Sequence, residues 1–399
     1  MNSKMRKRVL IIGAGASGRG HMGQLAFESG YELAFLDKDR PLVDVLRKAG
    51  RYTVKLVADV TKEVVIADFQ IYHTDERADF LKVFAAVPLI MTTVCPNNIK
   101  DAADHLRPAL LAWLEGCGKD DFKNIMCCEN MNNSSTVIKH HLLQGVSEAV
   151  RTKLEKHVGF PDAMIARVVA KPKDPLYLLG EAYSEWTADK AAFRGAALPE
   201  IKTLNLVDNQ EKFLRRKLYI HNTGHAAFGY LGFIKGYTFI HEAARDPAIM
   251  RVVEKAIEES GWGVGKEYGF SDKNIREYRK ALTDKCVNDA LPDELTRVVR
   301  EPIRKLGADE RFFGPIGLML KHGRDPEYLL HGICAAIASE IPGDKESARL
   351  RELALGKGIR GLLAELNVQI PDRLVRRIEE LSATMGAALQ KGGGACAAR

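Results

Sequence analysis

A glycine-rich turn directly after a short apolar run is the strongest constraint on what this chain can fold into. The run Val9-Leu-Ile-Ile12 leads into Gly13-Ala-Gly-Ala-Ser-Gly18, and the next apolar run, Tyr31–Leu36, ends on Asp37. Strand, glycine turn, helix, strand and acid follow one another, and each part has a physical reason. Gly13 permits the tight turn out of the strand. Gly15 has no Cβ, so the backbone there can approach a pyrophosphate. Gly18 lets the helix pack closely. Ala16 and Ser17 open that helix, whose first N–H groups and positive dipole end suit an anion. Asp37 stands 19 residues past Gly18, where a carboxylate accepts from both ribose hydroxyls and repels a 2′-phosphate. The pattern reads as a dinucleotide site that favours NAD over NADP, with Lys38 leaving some tolerance for NADP.

With 399 residues the chain exceeds one ordinary core, so two domains are expected. Hydrophobic residues make up 46% and charged residues 28%, the profile of a globular chain. The formal charge of +7 is mild for this length and comes without basic runs interleaved with aromatics, so nucleic acid is not a partner. A modest positive field suits an anionic cofactor or a phosphorylated substrate instead. Seven cysteines, an odd number without a Cys-x-x-Cys pair, read as reduced thiols in a cytoplasmic protein. No apolar run approaches the roughly 20 residues that span a bilayer, so no membrane is implied. Metal ligation is not expected. Cys127 and Cys128 are adjacent on a strand and point to opposite faces, His140 and His141 diverge on a helix, and no His-Glu-x-x-His occurs.

Strand-like and helix-like segments alternate from residue 7 to about 130. Strands are expected at 8–12, 32–36, 53–57, 63–67, 89–94 and 124–128, and helices at 19–29, 41–49, 78–87, 99–115 and 136–150. That alternation gives the α/β class, with an N-terminal Rossmann-like doubly wound sheet. The 53–57 and 63–67 pair has the spacing of a hairpin inserted into the sheet. Residues 1–199 are read as this NAD-binding domain with extra strands. Residues 200–388 are read as a mainly α-helical substrate and catalytic domain, with long amphipathic stretches at 210–234, 249–260, 271–284, 294–306, 328–339, 345–355 and 371–381. The glycine-rich end, 389–399, is read as a flexible tail. A monomer or weak dimer is expected.

The second informative stretch is Lys217-Leu-Tyr-Ile-His-Asn222-Thr-Gly-His225. On an α-helix at about 100° per residue, Lys217, His221, Asn222 and His225 fall within a sector of about 140°. One helix then presents an amine, an amide and an imidazole to one pocket. Such a set takes a proton from an alcohol and stabilises the alkoxide left behind. The neighbours Leu218, Tyr219, Ile220, Ala226, Ala227, Phe228, Tyr230 and Leu231 are apolar, so the helix is buried and its polar side chains need partners.

This Lys-x4-Asn-x2-His pattern resembles the signature of the polyol-specific long-chain dehydrogenases/reductases. The likeness extends over almost the whole chain: the glycine turn with Arg19-Gly20, Thr92-Thr-Val-Cys-Pro-Asn97, Cys128-Glu-Asn-Met131, Tyr183-Ser-Glu-Trp186, Tyr230-Leu-Gly232 and Arg300-Glu-Pro-Ile-Arg-Lys-Leu306. Its mannitol-1-phosphate 5-dehydrogenase branch is the nearest pattern. The resemblance implies metal-independent hydride transfer between NAD and a sugar-alcohol carbon, with mannitol 1-phosphate and fructose 6-phosphate as the pair. It implies Lys217 as general acid/base, Asn222 and Asn130 as donors to the substrate oxygen, and His225 orienting the reacting hydroxyl. On the cofactor side it adds the loop residues Thr93, Pro96 and Asn97 to the glycine turn. His221 lies outside the signature and is read as packing.

Two departures bear on the substrate. Ala166-Arg167 stands where many relatives have Asp-Arg, and Glu340 stands near a position where some have Arg. A free polyol or sugar acid as substrate, or a non-catalytic NAD-binding sensor, are the alternatives. Arg215 and Arg216 are candidate phosphate ligands or, more simply, a solvated helix edge.

Overall fold

A computed structural model describes residues 7–392 apart from 59, 130, 132, 171, 172 and 291. It divides into two compact units, one ending at Phe213 and the other beginning at Leu214.

Among the described residues the first unit carries twelve strands: β1 (Arg8–Ile12), β2 (Glu32–Asp37), β3 (Arg51–Val57), β4 (Lys62–Ala67), β5 (Gln70–His73), β6 (Leu89–Thr92), β7 (Lys123–Cys127), β8 (Val158–Gly159), β9 (Ala163–Ala166), β10 (Tyr177–Glu181), β11 (Glu185–Asp189) and β12 (Leu204–Val207). The main sheet runs β5-β2-β1-β6-β7-β8, and every pair in it is parallel. In chain order within that sheet this is the 3-2-1-4-5-6 arrangement of a doubly wound dinucleotide fold. Side-chain alternation shows the double winding directly. Val9 and Ile11 of β1 enter one core, and Leu10 and Ile12 enter the other. The sheet reverses its order between β1 and β6, so the glycine turn after β1 and the 93–97 loop after β6 flank the switch point. Ligands of such sheets bind in that crevice.

Three expectations about this unit need correction. The hairpin β3–β4 is not inserted into the main sheet; it joins β10 in a separate three-stranded sheet. The third parallel strand of the fold is instead β5, a four-residue edge strand too short for a periodicity signal. The helix expected at 136–150 is two helices, Ser134–Leu142 and Glu148–His157, because Gly145 takes a left-handed turn (φ +73°) between them. The domain boundary also lies later than 199/200. β12 pairs with β11, which keeps residues up to Val207 in the first unit.

The second unit is helical around one core. The helical stretch that begins at Gln210, just before the boundary, continues in it to Ile234, where Phe228 and Tyr230 are fully buried. Pro247–Tyr268 and Asp272–Val287 follow. The expected helix at 294–306 is broken. Pro302 lacks the N–H that an uninterrupted helix needs, and Glu301 before it sits in the left-handed region (φ +56°), leaving Leu295–Val298 and Pro302–Lys305. The helix expected at 345–355 runs on to Glu365 with a break at Gly358 (φ +66°). The last helix is Asp372–Gly392, so it runs into the segment read as a tail, and 393–399 lie outside the described residues. No described helix is long and apolar enough to cross a membrane.

Candidate active site

The glycine turn in the first unit is built as its sequence demands. Gly13 adopts φ +96°, and a Cβ there would lie 2.5 Å from the Thr93 carbonyl oxygen. A Cβ on Gly18 would lie 1.9 Å from the Gly13 carbonyl oxygen, so no larger residue fits. Gly15 differs: a Cβ there meets nothing within 4 Å. Internal packing therefore does not require a glycine at 15. The open space above it is what a close-approaching ligand would use.

Thr93 fastens this turn. Its N–H donates to the Ile12 carbonyl (2.7 Å) and its hydroxyl to the Gly13 carbonyl (2.7 Å). Asp37, at the end of β2, accepts from the Ala14 N–H at 2.6 Å and from the Asp39 N–H at 2.9 Å. The acid, the glycine turn and Thr93 are thus one hydrogen-bonded unit. Ala16 and Ser17 begin the helix after the turn, which is wound as a π-helix over Gly18–Gly23. Pro96 and Asn97 lie exposed in a short 3₁₀ turn, and Cys95 before them sits at φ +72°. Lys38 reaches the Asn98 side chain at 3.5 Å.

The sequence reading gave Glu129 no role, yet it organises this loop. It is buried, and it accepts from the Val94 N–H (2.7 Å), the Cys95 N–H (2.9 Å) and the Thr92 hydroxyl (3.3 Å). Burial pushes its carboxyl up, and the two backbone donors pull the other way. Arg19, also buried, donates to the Ala14 carbonyl at 2.6 Å and to the Pro175 carbonyl. Asn130 lies outside the described residues. Cys128 is buried with its thiol pushed far up, which leaves it protonated and unreactive.

In the second unit Lys217, His221, Asn222 and His225 lie on one helix, but its winding is not uniformly α. Lys217–His221 is a π turn, in which the Asn222 N–H donates to the Lys217 carbonyl five residues back. An i→i+5 step then does what i→i+4 does on an α-helix. The angle between Lys217 and Asn222 falls from about 140° to about 40°. The two side chains stand closer to one line than α geometry predicts. The carbonyl of Tyr219, inside the π turn, is held by the hydroxyls of Thr223 (2.6 Å) and of the fully buried Ser260.

His225 Nε2 lies 3.0 Å from Asp293 Oδ2. A carboxylate only accepts, so Nε2 carries the proton and Nδ1 is left as an acceptor. Burial pushes the imidazole pKa down and Asp293 pulls it up; the net direction is down, so the ring is neutral at neutral pH. Burial would raise the Asp293 carboxyl, but its bonds from His225 and Arg297 hold it well below the usual carboxylate range. Asp293 is a residue that sequence reasoning missed, since nothing in the chain marks an acid 68 positions away as a partner. His221 stacks loosely on His225, ring centroids 6.2 Å apart. It is pushed far down by burial and by the positive charge of Lys285.

Arg216 is not a solvated helix edge. It is buried, donates to Asn274 Oδ1 (2.7 Å) and lies on the rings of Phe270 and Tyr278. Arg215 donates to the Tyr219 hydroxyl at 2.8 Å. Ala166 is buried at the end of β9, and Glu340 is exposed and paired with Arg351. No group of three or more His, Cys, Asp or Glu placed to hold a metal ion occurs among the described residues.

A family model for the mannitol dehydrogenase Rossmann domain matches residues 7–203, and one for the mannitol dehydrogenase C-terminal domain matches 209–378. The chain belongs to the mannitol dehydrogenase family. As a member it is an oxidoreductase acting on CH–OH groups. The mannitol-1-phosphate 5-dehydrogenase of Bacillus pumilus (strain SAFR-032) is 35% identical over 362 residues, 90% of this chain and 95% of that protein. The enzyme of that name from Thermoanaerobacter pseudethanolicus (strain ATCC 33223 / 39E) is 30% identical over 386 residues, covering 94% and 98%. Among solved structures, Pseudomonas fluorescens mannitol 2-dehydrogenase in ternary complex with NAD and D-mannitol superposes with a TM-score of 0.71 at 18% identity, over 97% of this chain and 94% of that one. A substrate-free D-sorbitol dehydrogenase gives 0.80 at 15% identity, over 95% and 93%. These two share the fold. In this mannitol dehydrogenase family member the cofactor-type turn and the Lys–Asn–His helix belong to separate units.

Proposed function

We propose that this chain is an NAD-dependent, metal-independent dehydrogenase that interconverts mannitol 1-phosphate and fructose 6-phosphate. The observation that carries the reading is the neutral His225, held by Asp293 on the helix that also presents Lys217 and Asn222. The names of relatives at 30–35% identity over nine-tenths of the chain point to the same substrate pair.

Gly13, Gly15, Ala16, Ser17 and Gly18 would hold the cofactor pyrophosphate, Asp37 the adenosine ribose, and Thr93, Pro96 and Asn97 the nicotinamide side of the crevice. The open space over Gly15 and the fixed Asp37 carboxylate fit that group. Bound NAD supplies the acceptor for the hydrogen and two electrons that leave the substrate carbon. Lys217, as the neutral amine, takes the proton of the reacting hydroxyl. The Asn222 amide, joined by Asn130, donates to the oxygen as it becomes alkoxide-like. His225 accepts from that hydroxyl through Nδ1 and so orients it. A protonated His225 would lose that acceptor, which is why its lowered pKa serves the reaction.

The test is NADH oxidation with fructose 6-phosphate and fructose in parallel. Fast turnover of the phosphate alone is the expected result. Preference for fructose or another unphosphorylated ketose would overturn the substrate assignment, and NAD binding without turnover of any of these would make the chain a sensor.

A further inference from the structure

The second unit holds a cavity of about 350 Å³ that the reaction does not use. None of Lys217, Asn222 and His225 lines it. Four cationic side chains do: Lys266, Arg276, Arg279 and Arg324. Only two acids, Glu258 and Asp272, share the wall. The lining therefore carries a net charge of +2 (four cations less two carboxylates). The acids do not neutralise the cations evenly. Glu258 is taken up by Lys255 at 2.9 Å and lies 3.8 Å from Arg279. Lys266, Arg276 and Arg324 have no carboxylate within ion-pair distance among the described residues. Arg324 rests instead on the Trp262 ring, 5.1 Å from its centroid. The Arg279 Nε is buried without a hydrogen-bond partner among the described residues. Like charges lining one concavity repel one another, an effect that water screens at the exposed Lys266, Arg276 and Arg324, and the buried Arg279 Nε without an acceptor costs free energy. Both penalties are relieved by a ligand with two negative charges and several acceptor oxygens.

We infer that this cavity is a binding site for a small phosphorylated anion. The +2 lining matches a phosphate dianion, and guanidinium forks suit its oxygens better than those of a single carboxylate. The volume leaves room for a small organic group beside the phosphate. The cavity is also built against the catalytic-type segment. Phe270, in its wall, carries the Arg216 guanidinium 4.8 Å from its ring centre, immediately before Lys217. Gly261, also in the wall, is closely packed: a Cβ there would lie 2.6 Å from Ile275 and 3.8 Å from Ile220 in the π turn.

The experiment is calorimetric titration of the full chain with inorganic phosphate near pH 8, against sodium acetate at matched ionic strength. Saturable phosphate binding is expected, with none for acetate. The double exchange Arg276→Ala/Arg324→Ala is expected to weaken it roughly tenfold or more, the loss of charged hydrogen bonds. The single exchanges Arg276→Gln and Arg324→Gln remove the charge but leave a shorter polar amide, and are each expected to weaken it several-fold. Absence of saturable binding overturns the inference. So does equal affinity in the wild type and all three variants, which would place the phosphate elsewhere, on the glycine turn first.

Discussion

Exchange of Asp293 for Asn is the sharpest perturbation of the proposed site. In the wild type the carboxylate fixes the proton on His225 Nε2 at 3.0 Å and accepts from Arg297 at 2.8 Å. An amide in its place is free to donate, so the imidazole is no longer held to one tautomer and Nδ1 is no longer a dedicated acceptor. A hydrogen bond to a charged group contributes about 1.5–3 kcal/mol. If that full amount serves to orient the reacting hydroxyl, kcat/KM falls roughly 10- to 150-fold. The sign of the pH effect follows from the causes. Burial lowers the His225 pKa and Asp293 raises it, so removing Asp293 lowers it further. The acid limb of the rate profile, where His225 protonates, moves to lower pH. Steady-state kinetics from pH 5 to 9 in both variants is the assay. A variant within twofold of wild type, or an acid limb displaced upward, refutes the reasoning. Stability gives a second readout. The folded Asp293 carboxyl lies below its unfolded value, so its contribution is present above about pH 4 and is lost as pH falls further. The Asn variant lacks that part of the acid-unfolding slope.

Lys217→Ala removes the proposed base and is expected to lower kcat by at least about a hundredfold, while NADH binding followed by fluorescence stays nearly unchanged; wild-type kcat across pH would sink the assignment. Asp37→Ala deletes the acceptor fixed by Ala14 and Asp39 and is expected to weaken NAD roughly tenfold and to relax the preference over NADP, read from the two cofactors' KM values. Lys305 is buried, donates to the Val298 carbonyl at 2.6 Å, and has its pKa pushed down by burial to about 7. Between about pH 7 and 10 the unfolded chain therefore binds the extra proton and stability rises with pH. Lys305→Met is expected to flatten that rise in urea melts, and an unchanged slope would show that Lys305 is not the titrating group.

Local chemistry made the cofactor side legible. Gly13 and Gly18 are needed for close backbone packing that the structure shows as contacts, with Thr93 and within the turn, while Asp37, read as a ribose acceptor, is seen bonded to the Ala14 and Asp39 amides. The interruptions were readable only in part. Pro302 is visible in the sequence, but its effect on the 294–306 helix is clear only once Glu301 is seen in the left-handed region. β5 escaped because four residues carry no periodicity, and the hairpin was misplaced because its partner β10 lies more than a hundred residues later. Asp293 and Glu129 escaped for a related reason. Each is an acid whose role is to hold something distant in sequence: His225 in one case, the 94–95 amides in the other. A single sequence encodes such pairs without marking them.

The π turn at Lys217–His221 could not be read from periodicity at all, and it leads to a last prediction. A π turn leaves a carbonyl without its ordinary helical amide partner. Here the Tyr219 carbonyl is held by the Thr223 hydroxyl and, from the neighbouring helix, by Ser260. Ser260 is not among the proposed substrate or cofactor ligands, and its part in this argument is to hold the turn. Ser260→Ala removes one hydrogen bond, about 1 kcal/mol of stability, a modest downward shift in melting temperature. It also favours relaxation of the turn towards α winding, which swings Lys217 from about 40° to about 140° away from Asn222. The proton acceptor and the oxyanion donor would then no longer converge. The expected signature is a fall in kcat of roughly tenfold or more with little change in the KM for NADH, out of proportion to the stability loss. Ser260→Thr keeps the hydroxyl and is expected to restore kcat if its methyl group is accommodated. If Ser260→Ala loses stability but keeps wild-type kcat, the π winding is only a way of packing the helix, and the alignment of Lys217 with Asn222 does not depend on it.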